Sequence, residues 1–336
     1  MTTLRLGIDI GSTTIKFVVL DENAKIIYKN YERHFSETGN AFKRNLEKVA
    51  PVLGDNPFYI TLSGSSGMGV ASRLNLPFEQ EVLSCTSAIN LLAKDTETAI
   101  ELGGEDAKIT YLKGSLEQRM NGACAGGTGA FIDQMANLLN TDAKGLNDLA
   151  KKGSKLYTIA SRCGVFAKTD IQALINDGAQ KEDLALSIFQ AVVNQTVGTL
   201  AQGRAIEGKT AFLGGPLTFL SELKERFIKT LNLIDEDVVA TPDACYFVAI
   251  GAAICDEAKL TSLKELTELS KTDLNAVTET KNHSEPLFSS RDEYDAFVKR
   301  HSEDIVKRTS FDNYHGPVYV GIDAGSTTSK IAAVTD

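Results

Sequence analysis

Residues 6–20 read LGIDIGSTTIKFVVL, and residues 320–334 read VGIDAGSTTSKIAAV. Both open on an apolar run, carry Asp-x-Gly-Ser-Thr-Thr-x-Lys and return to an apolar run, a strand, tight turn, strand pattern. In the first copy Gly11 lets the chain turn tightly. The amides and hydroxyls of Ser12, Thr13 and Thr14 are then free to donate to phosphate oxygens. Asp9 falls at a strand end, where a carboxylate can hold Mg²⁺ through water, and Lys16 on the return strand can reach a phosphate. The second copy runs out at Asp336. The expectation is a longer protein, cut just inside a second, related domain that starts at residues 316–336.

Two further glycine turns follow the same logic. Glu101-Leu102-Gly103-Gly104-Glu105-Asp106-Ala107-Lys108 follows the apolar strand Thr98–Leu102. Glu101 is expected to face the metal from the opposite side of a cleft, and Gly103, Gly104 and Asp106 to approach phosphate. Glu105 is either the group that positions an attacking water or a solvated acid. Phe212-Leu213-Gly214-Gly215-Pro216 lies between a strand and a helix, where the Gly214-Gly215 pair can lie against a base and ribose. The segment Pro242–Ala253 supplies small residues for a helix packed closely on the core. A Walker P-loop and a Gly-x-Gly-x-x-Gly after a strand are both absent from the sequence.

Between the two repeats, strands alternate with helices, which argues for an α/β class. Strands are expected at Phe58–Leu62, Ala107–Leu112 and Thr210–Leu213, and helices at Ala130–Leu139, Asp170–Asn176, Glu182–Gln202 and Leu217–Leu231. From about Ala258 the composition turns polar and charged, so residues 259–315 read as a partly helical connector.

The 336 residues carry a formal charge of -9 and 43% hydrophobic residues, enough to bury a full core. The acidic balance argues against nucleic acid as a partner. No apolar run approaches the roughly 18 residues of a membrane span. The polar cluster Asp9–Lys16 interrupts any signal-peptide h-region, so the expected location is cytoplasmic, without a membrane partner. His34, His283, His301 and His315 show no ligand spacing and read as surface or linker residues. Five cysteines (Cys85, Cys124, Cys163, Cys245 and Cys255) form no Cys-x-x-Cys pair and no disulfide framework.

The order and separation of the glycine turns resemble the actin-like ATPase superfamily: phosphate 1, phosphate 2, adenosine and second connecting segments. That resemblance implies an actin, sugar-kinase and heat-shock-chaperone-like ATPase fold over residues 1–258. Two ribonuclease-H-like lobes, roughly 1–98 and 99–258, would enclose a cleft for ATP or ADP with Mg²⁺. A small-molecule, sugar-type kinase and a non-redox regulatory ATPase share that fold.

Cys124 lies in Met120-Asn121-Gly122-Ala123-Cys124-Ala125-Gly126-Gly127-Thr128-Gly129-Ala130-Phe131, and Cys163 in Ala160-Ser161-Arg162-Cys163-Gly164-Val165-Phe166-Ala167. Each segment opens into a helical pattern, and the start of a helix favours a thiolate. Two thiols cannot hold a four-iron cube, but a two-fold dimer supplies four. These segments resemble the paired cysteine motifs of the acyl-CoA dehydratase activases, within the BadF/BadG/BcrA/BcrD ATPase family. The resemblance covers Arg5 to about Glu257. It implies a homodimer holding one [4Fe–4S] cluster on Cys124 and Cys163 of each subunit. It implies an upstream ferredoxin or flavodoxin, and ATP-driven transfer of a low-potential electron to a dehydratase or reductase metalloenzyme. Glu101 stands where small activases have Asp, Glu105 where they have Gln, and Thr86 where His is common. The second GIDAGSTTSK is more similar to the large, multidomain activases. Cys85, Cys245 and Cys255 stay with the core.

Overall fold

The first repeat forms the hairpin its alternation dictates. In a computed structural model of the chain, Arg5–Ile10 (β1) and Thr14–Leu20 (β2) pair antiparallel, with Asp9 opposite Lys16. The structure describes all residues except 1–2, 123–125, 162, 273, 275–284, 305, 307, 309, 311, 313, 326–327 and 336. The chain divides into two compact units, Met1–Asn275 and Ala276–Asp336.

In the first unit, β2 continues into Ile26–Arg33 (β3), then Thr38–Leu53 (α1), Phe58–Ser63 (β4), Gly67–Leu74 (α2) and Glu81–Leu92 (α3). A second set follows: Thr98–Leu102 (β5), Ala107–Tyr111 (β6), Glu117–Met120 (β7), Gly129–Leu138 (α4), Ala143–Ala150 (α5), Gly164–Asn176 (α6), Lys181–Thr196 (α7), Thr210–Leu213 (β8), Gly215–Phe219 (α8), Ser221–Leu231 (α9) and Val238–Val239 (β9). The unit ends with Phe247–Ile254 (α10), Lys259–Thr261 (β10) and Leu263–Leu269 (α11).

The two sheets repeat one plan. In the first, β1-β2-β3 is an antiparallel meander and β4 lies parallel to β1. In the second, β5-β6-β7 is the meander and β8 lies parallel to β5. Each sheet has its own core. Ile8, Ile15, Phe17 and Phe42 are fully buried in the first and Ile100, Ile109, Phe189 and Phe212 in the second; each such side chain contributes about 2 kcal/mol by leaving water. A third cluster joins them. It holds Val18 and Leu20 of the first sheet, Ala99 and Ala211 of the second, and α3 with α10 between them. Gly7 and Gly251 make this joint possible. A Cβ on Gly7 would lie 1.9 Å from the Ala249 carbonyl oxygen, and one on Gly251 would lie 1.7 Å from that of Ser84. The small-residue helix expected near Pro242–Ala253 is therefore the contact helix of both lobes.

Three expectations shift. Leu217–Leu231 is broken at Leu220, whose φ/ψ of -106°/87° leave the helical region. Glu182–Gln202 changes from α to π geometry at Val197–Ala201. The connector does not start at 259: β10 pairs with β4, and Leu266 and Leu274 are buried in the first core, so the boundary moves to 275. The 21-residue run Lys181–Ala201 is long and apolar enough to cross a bilayer, yet Leu184, Ile188 and Val192 are fully buried against the second sheet's core.

The second unit holds Arg291–Ser302 (α12) and the antiparallel pair Val318–Ala324 (β11) and Ser329–Thr335 (β12). The repeat is structural as well as sequential. Asp323 faces Lys330 as Asp9 faces Lys16, with side chains 3.1 Å and 2.6 Å apart respectively.

Candidate active site

The cleft between the lobes gathers the expected residues. Asp9, Gly11, Ser12, Thr13, Thr14, Lys16, Glu101, Gly103, Gly104, Asp106, Gly214 and Gly215 all line it. Glu105 does not: it is exposed on the outside of its turn. That position fits the solvated-acid reading of Glu105. Cys163 lies away from the cleft wall, and Cys124 lies outside the described residues.

The first turn is closed by the Gly11 amide donating to the Thr14 carbonyl at 2.9 Å. His34 braces it, against the surface or linker reading of that residue. The ring is 3% exposed, and Nε2 lies 2.9 Å from the Gly11 carbonyl oxygen. The Ser36 amide donates to Nδ1, so the proton sits on Nε2 and donates to Gly11. Sequence pattern gave no sign of this, because the contact spans a strand pair.

The second turn meets the first. A Cβ on Gly104 would lie 2.2 Å from Thr13 Oγ1, so only glycine lets the two turns close on one another. The Gly103 and Gly104 carbonyls accept from the amides of Gly129 (3.0 Å) and Ala130 (2.7 Å). The phosphate-side turn is thus fastened to the first turn of α4, the helix that follows the Cys124 segment. In the third turn Gly214 takes φ +86°, and a Cβ there would strike the Leu102 carbonyl at 2.1 Å. Tyr31 stands beside it, edge-on to Phe219 at 5.4 Å and to Tyr246 at 6.4 Å.

Charge in the cleft is arranged around two lysines. Lys16 Nζ meets Asp9 Oδ2 at 2.6 Å. Burial opposes its charge, but the Asp9 carboxylate prevails and holds the ammonium above its ordinary range. Beneath the wall, Lys108 is almost fully buried and meets Asp106 at 2.5 Å, Glu81 at 2.6 Å and Glu101 at 3.6 Å. Burial again opposes charge, and the three carboxylates outweigh it. Glu81, at the first position of α3, is pushed up to about 7, by burial first and then by Glu101, Asp9 and Asp106. Cys85 donates to Glu101 at 3.7 Å, and burial raises its thiol well above the usual range. Tyr31, Arg33, Glu81, Cys85, Asp133 and Phe219 line the cleft without having been legible in the sequence. Arg33 on β3 pairs with Asp133 on α4 across it.

Four carboxylates (Asp9, Glu81, Glu101 and Asp106) thus face two ammonium groups. Hard oxygen donors in excess fit a divalent cation such as Mg²⁺. Among the described residues no group of three or more ligating side chains gathers tightly, so such an ion would share its shell with phosphate and water.

Cys163 sits at the N-cap of α6, partly exposed. A Cβ on Gly164, the next residue, would touch the Phe131 ring of α4 at 3.4 Å, so the helices following the two cysteine motifs start side by side. Val165 and Phe166 in the first turn of α6 are 71% and 66% exposed. Burial raises the thiols of Cys85, Cys245 and Cys255. Cys85 and Cys245 are buried in the core as expected, whereas Cys255, like Cys163, is only partly covered.

The model of the BadF/BadG/BcrA/BcrD ATPase family matches residues 6–255. The chain is 29% identical to the (R)-2-hydroxyglutaryl-CoA dehydratase activating ATPase of Acidaminococcus fermentans, over 64% of this chain and 84% of that one. It is 30% identical to the 2-hydroxyisocaproyl-CoA dehydratase activator of Clostridioides difficile, over 62% and 80%. The solved structure of the latter activator, with bound ADPNP, superposes with a TM-score of 0.64 at 23% identity, over 84% of this chain and all of that one. This likeness shows that the fold is the activator, actin-like ATPase fold.

Proposed function

Because the chain belongs to the BadF/BadG/BcrA/BcrD ATPase family, and the relatives above are a dehydratase-activating ATPase and a dehydratase activator, we propose that it is an ATP-dependent reductive activator. In this reading it delivers a low-potential electron, received from a ferredoxin or flavodoxin, to a partner metalloenzyme such as a 2-hydroxyacyl-CoA dehydratase or double-cubane reductase. One observation carries the coupling of nucleotide to electron: the Gly103-Gly104 turn on the cleft wall is hydrogen-bonded to the first turn of α4, immediately after the Cys124 segment.

In the cleft, the amides and hydroxyls of Ser12, Thr13 and Thr14 and the Gly103-Gly104 backbone bind phosphates. Gly214 and Gly215 seat the nucleoside beside Tyr31 and Phe219. Asp9 and Glu101 are the residues to hold Mg²⁺, which supplies charge neutralisation of the phosphates. Lys16 adds a positive charge next to Asp9. Cys124 and Cys163, with their counterparts in a second copy, are the residues to hold a [4Fe–4S] cluster, which supplies the one-electron carrier. Closure of the lobes shifts the Gly103-Gly104 turn and, through its two hydrogen bonds, the start of α4. The cytoplasm suits this chemistry.

The same reading extends to domain organisation. Residues 318–335 repeat the opening hairpin of the first unit. Ile322 and Ile331 are 71% and 73% exposed, where their counterparts Ile8 and Phe17 are fully covered.

The test is ATP-dependent reduction of an acceptor dehydratase by chemically reduced protein under anaerobic conditions. Electron delivery that requires ATP and is lost in Cys163→Ser supports the proposal. Delivery at the same rate with and without ATP overturns the coupling.

A further inference from the structure

Glu105 stands outside the cleft, so the group that handles the attacking water must come from elsewhere on the wall. Asp9 is engaged by Lys16 at 2.6 Å, and Glu101 shares its carboxylate between the Cys85 thiol and Lys108. Asp106 meets the same Lys108 at 2.5 Å but belongs to the phosphate turn itself, which the Gly103 amide closes on the Asp106 carbonyl at 2.8 Å. Glu81 differs in origin and in placement. It comes from the first lobe, on the helix α3 that packs against α10 at the joint, and it reaches Lys108 of the second lobe at 2.6 Å. Its side chain keeps 25% of its surface open, on the cleft wall, while Lys108 keeps 4%. The Glu81 carboxylate is thus held by a buried ammonium while its side chain stays partly open on the cleft wall.

We propose that Glu81 is the general base of ATP hydrolysis, orienting the attacking water and taking its proton, with Lys108 as the residue that positions it. This rests on the ATPase reading above. The water oxygen forms a bond to the γ-phosphorus while the bond from γ-phosphorus to the β,γ-bridging oxygen breaks. The electron pair leaves with ADP, and the water proton passes to the Glu81 carboxylate and on to solvent. Burial first, and then the neighbouring Glu101, Asp9 and Asp106, raise the Glu81 carboxyl against the pull of Lys108, which suits a proton acceptor. Because Lys108 belongs to the second lobe, the water-handling group is aligned only when the lobes are in register.

Phosphate release and binding of a fluorescent ATP analogue, measured on the full chain and its Glu81→Gln, Glu81→Asp and Glu105→Gln variants, test this. Glu81→Gln is expected to lower kcat about 100-fold, the usual size of a lost general base, with analogue affinity within about threefold of wild type. Glu81→Asp recovers part of kcat, and Glu105→Gln leaves it within about twofold. A Glu81→Gln protein that keeps wild-type kcat overturns the inference while leaving the ATPase reading standing. A Glu81→Gln protein that no longer binds the analogue shows a purely structural role and also overturns it. A wild-type chain that binds the analogue but releases no phosphate overturns the ATPase reading and the inference together.

Discussion

Asp9 and Lys16 occupy facing positions of the first hairpin, and their side chains close a 2.6 Å ion pair at the bottom of the cleft. The pair ties structure to the proposed function, because the same carboxylate that neutralises a buried ammonium is the one proposed to hold the cation. Asp9→Asn should lower Mg-ATP turnover about 100-fold, and should also destabilise the fold by about 3 kcal/mol, since it leaves Lys16 charged and unpaired. Asp9→Asn combined with Lys16→Met should recover much of the stability in urea denaturation and none of the turnover. Turnover restored in the double variant would remove Asp9 from the metal.

His34 should matter through one hydrogen bond. His34→Gln retains a donor toward the Gly11 carbonyl and should keep nucleotide affinity near wild type. His34→Ala leaves that carbonyl unserved and should weaken it about fivefold, the worth of about 1 kcal/mol. Equal affinities of the two variants, by fluorescence titration, would contradict the bracing role.

Gly251→Ala should destabilise the protein by about 3 kcal/mol, because the added carbon meets the Ser84 carbonyl oxygen of α3, a backbone atom that cannot rotate away. Gly198→Ala is the control: a Cβ there meets nothing within 4 Å. Urea midpoints that move equally for both would mean that α3 and α10 do not cross this closely.

The Glu81 carboxyl lies at about 7 in the folded chain against an ordinary 4.5. The folded state therefore binds a proton that the unfolded state has released between those values, and stability contributed by Glu81 falls as pH rises across that window. Without nucleotide and magnesium, Glu81→Gln should show a shallower loss of stability from pH 5 to pH 8 than wild type. Parallel curves would contradict the crowded-carboxylate account.

The strand-turn-strand repeats, the glycine turns and most helices were legible because local chemistry decides them. Glycine at 104 and 214 is demanded by close approaches, whereas a Cβ on Gly11 would meet only ordinary contacts, and apolar spacing marks α4 and α7. Glu81, Arg33, Tyr31 and His34 were not legible. Each lies on an ordinary amphipathic element, and only the closing of one sheet against the other brings it to the cleft. Lys108 illustrates the limit. A lysine in an alternating strand reads as a solvated residue, yet it is buried because three carboxylates from two lobes converge on it. The 259 boundary failed for a similar reason: three residues, Lys259–Thr261, gain their place by pairing with β4, which polar composition does not reveal.

The electron-carrier claim is tested most directly by iron. Strictly anaerobic reconstitution of the wild-type chain and of Cys163→Ser, followed by iron and sulfide analysis and electron paramagnetic resonance of the reduced proteins, gives the answer. The account predicts about four irons per two wild-type chains, as one shared cube requires, and none in Cys163→Ser, with ATP-analogue binding unchanged in both. A full complement of iron in Cys163→Ser, or a wild-type chain that binds nucleotide yet takes up no iron, would contradict it.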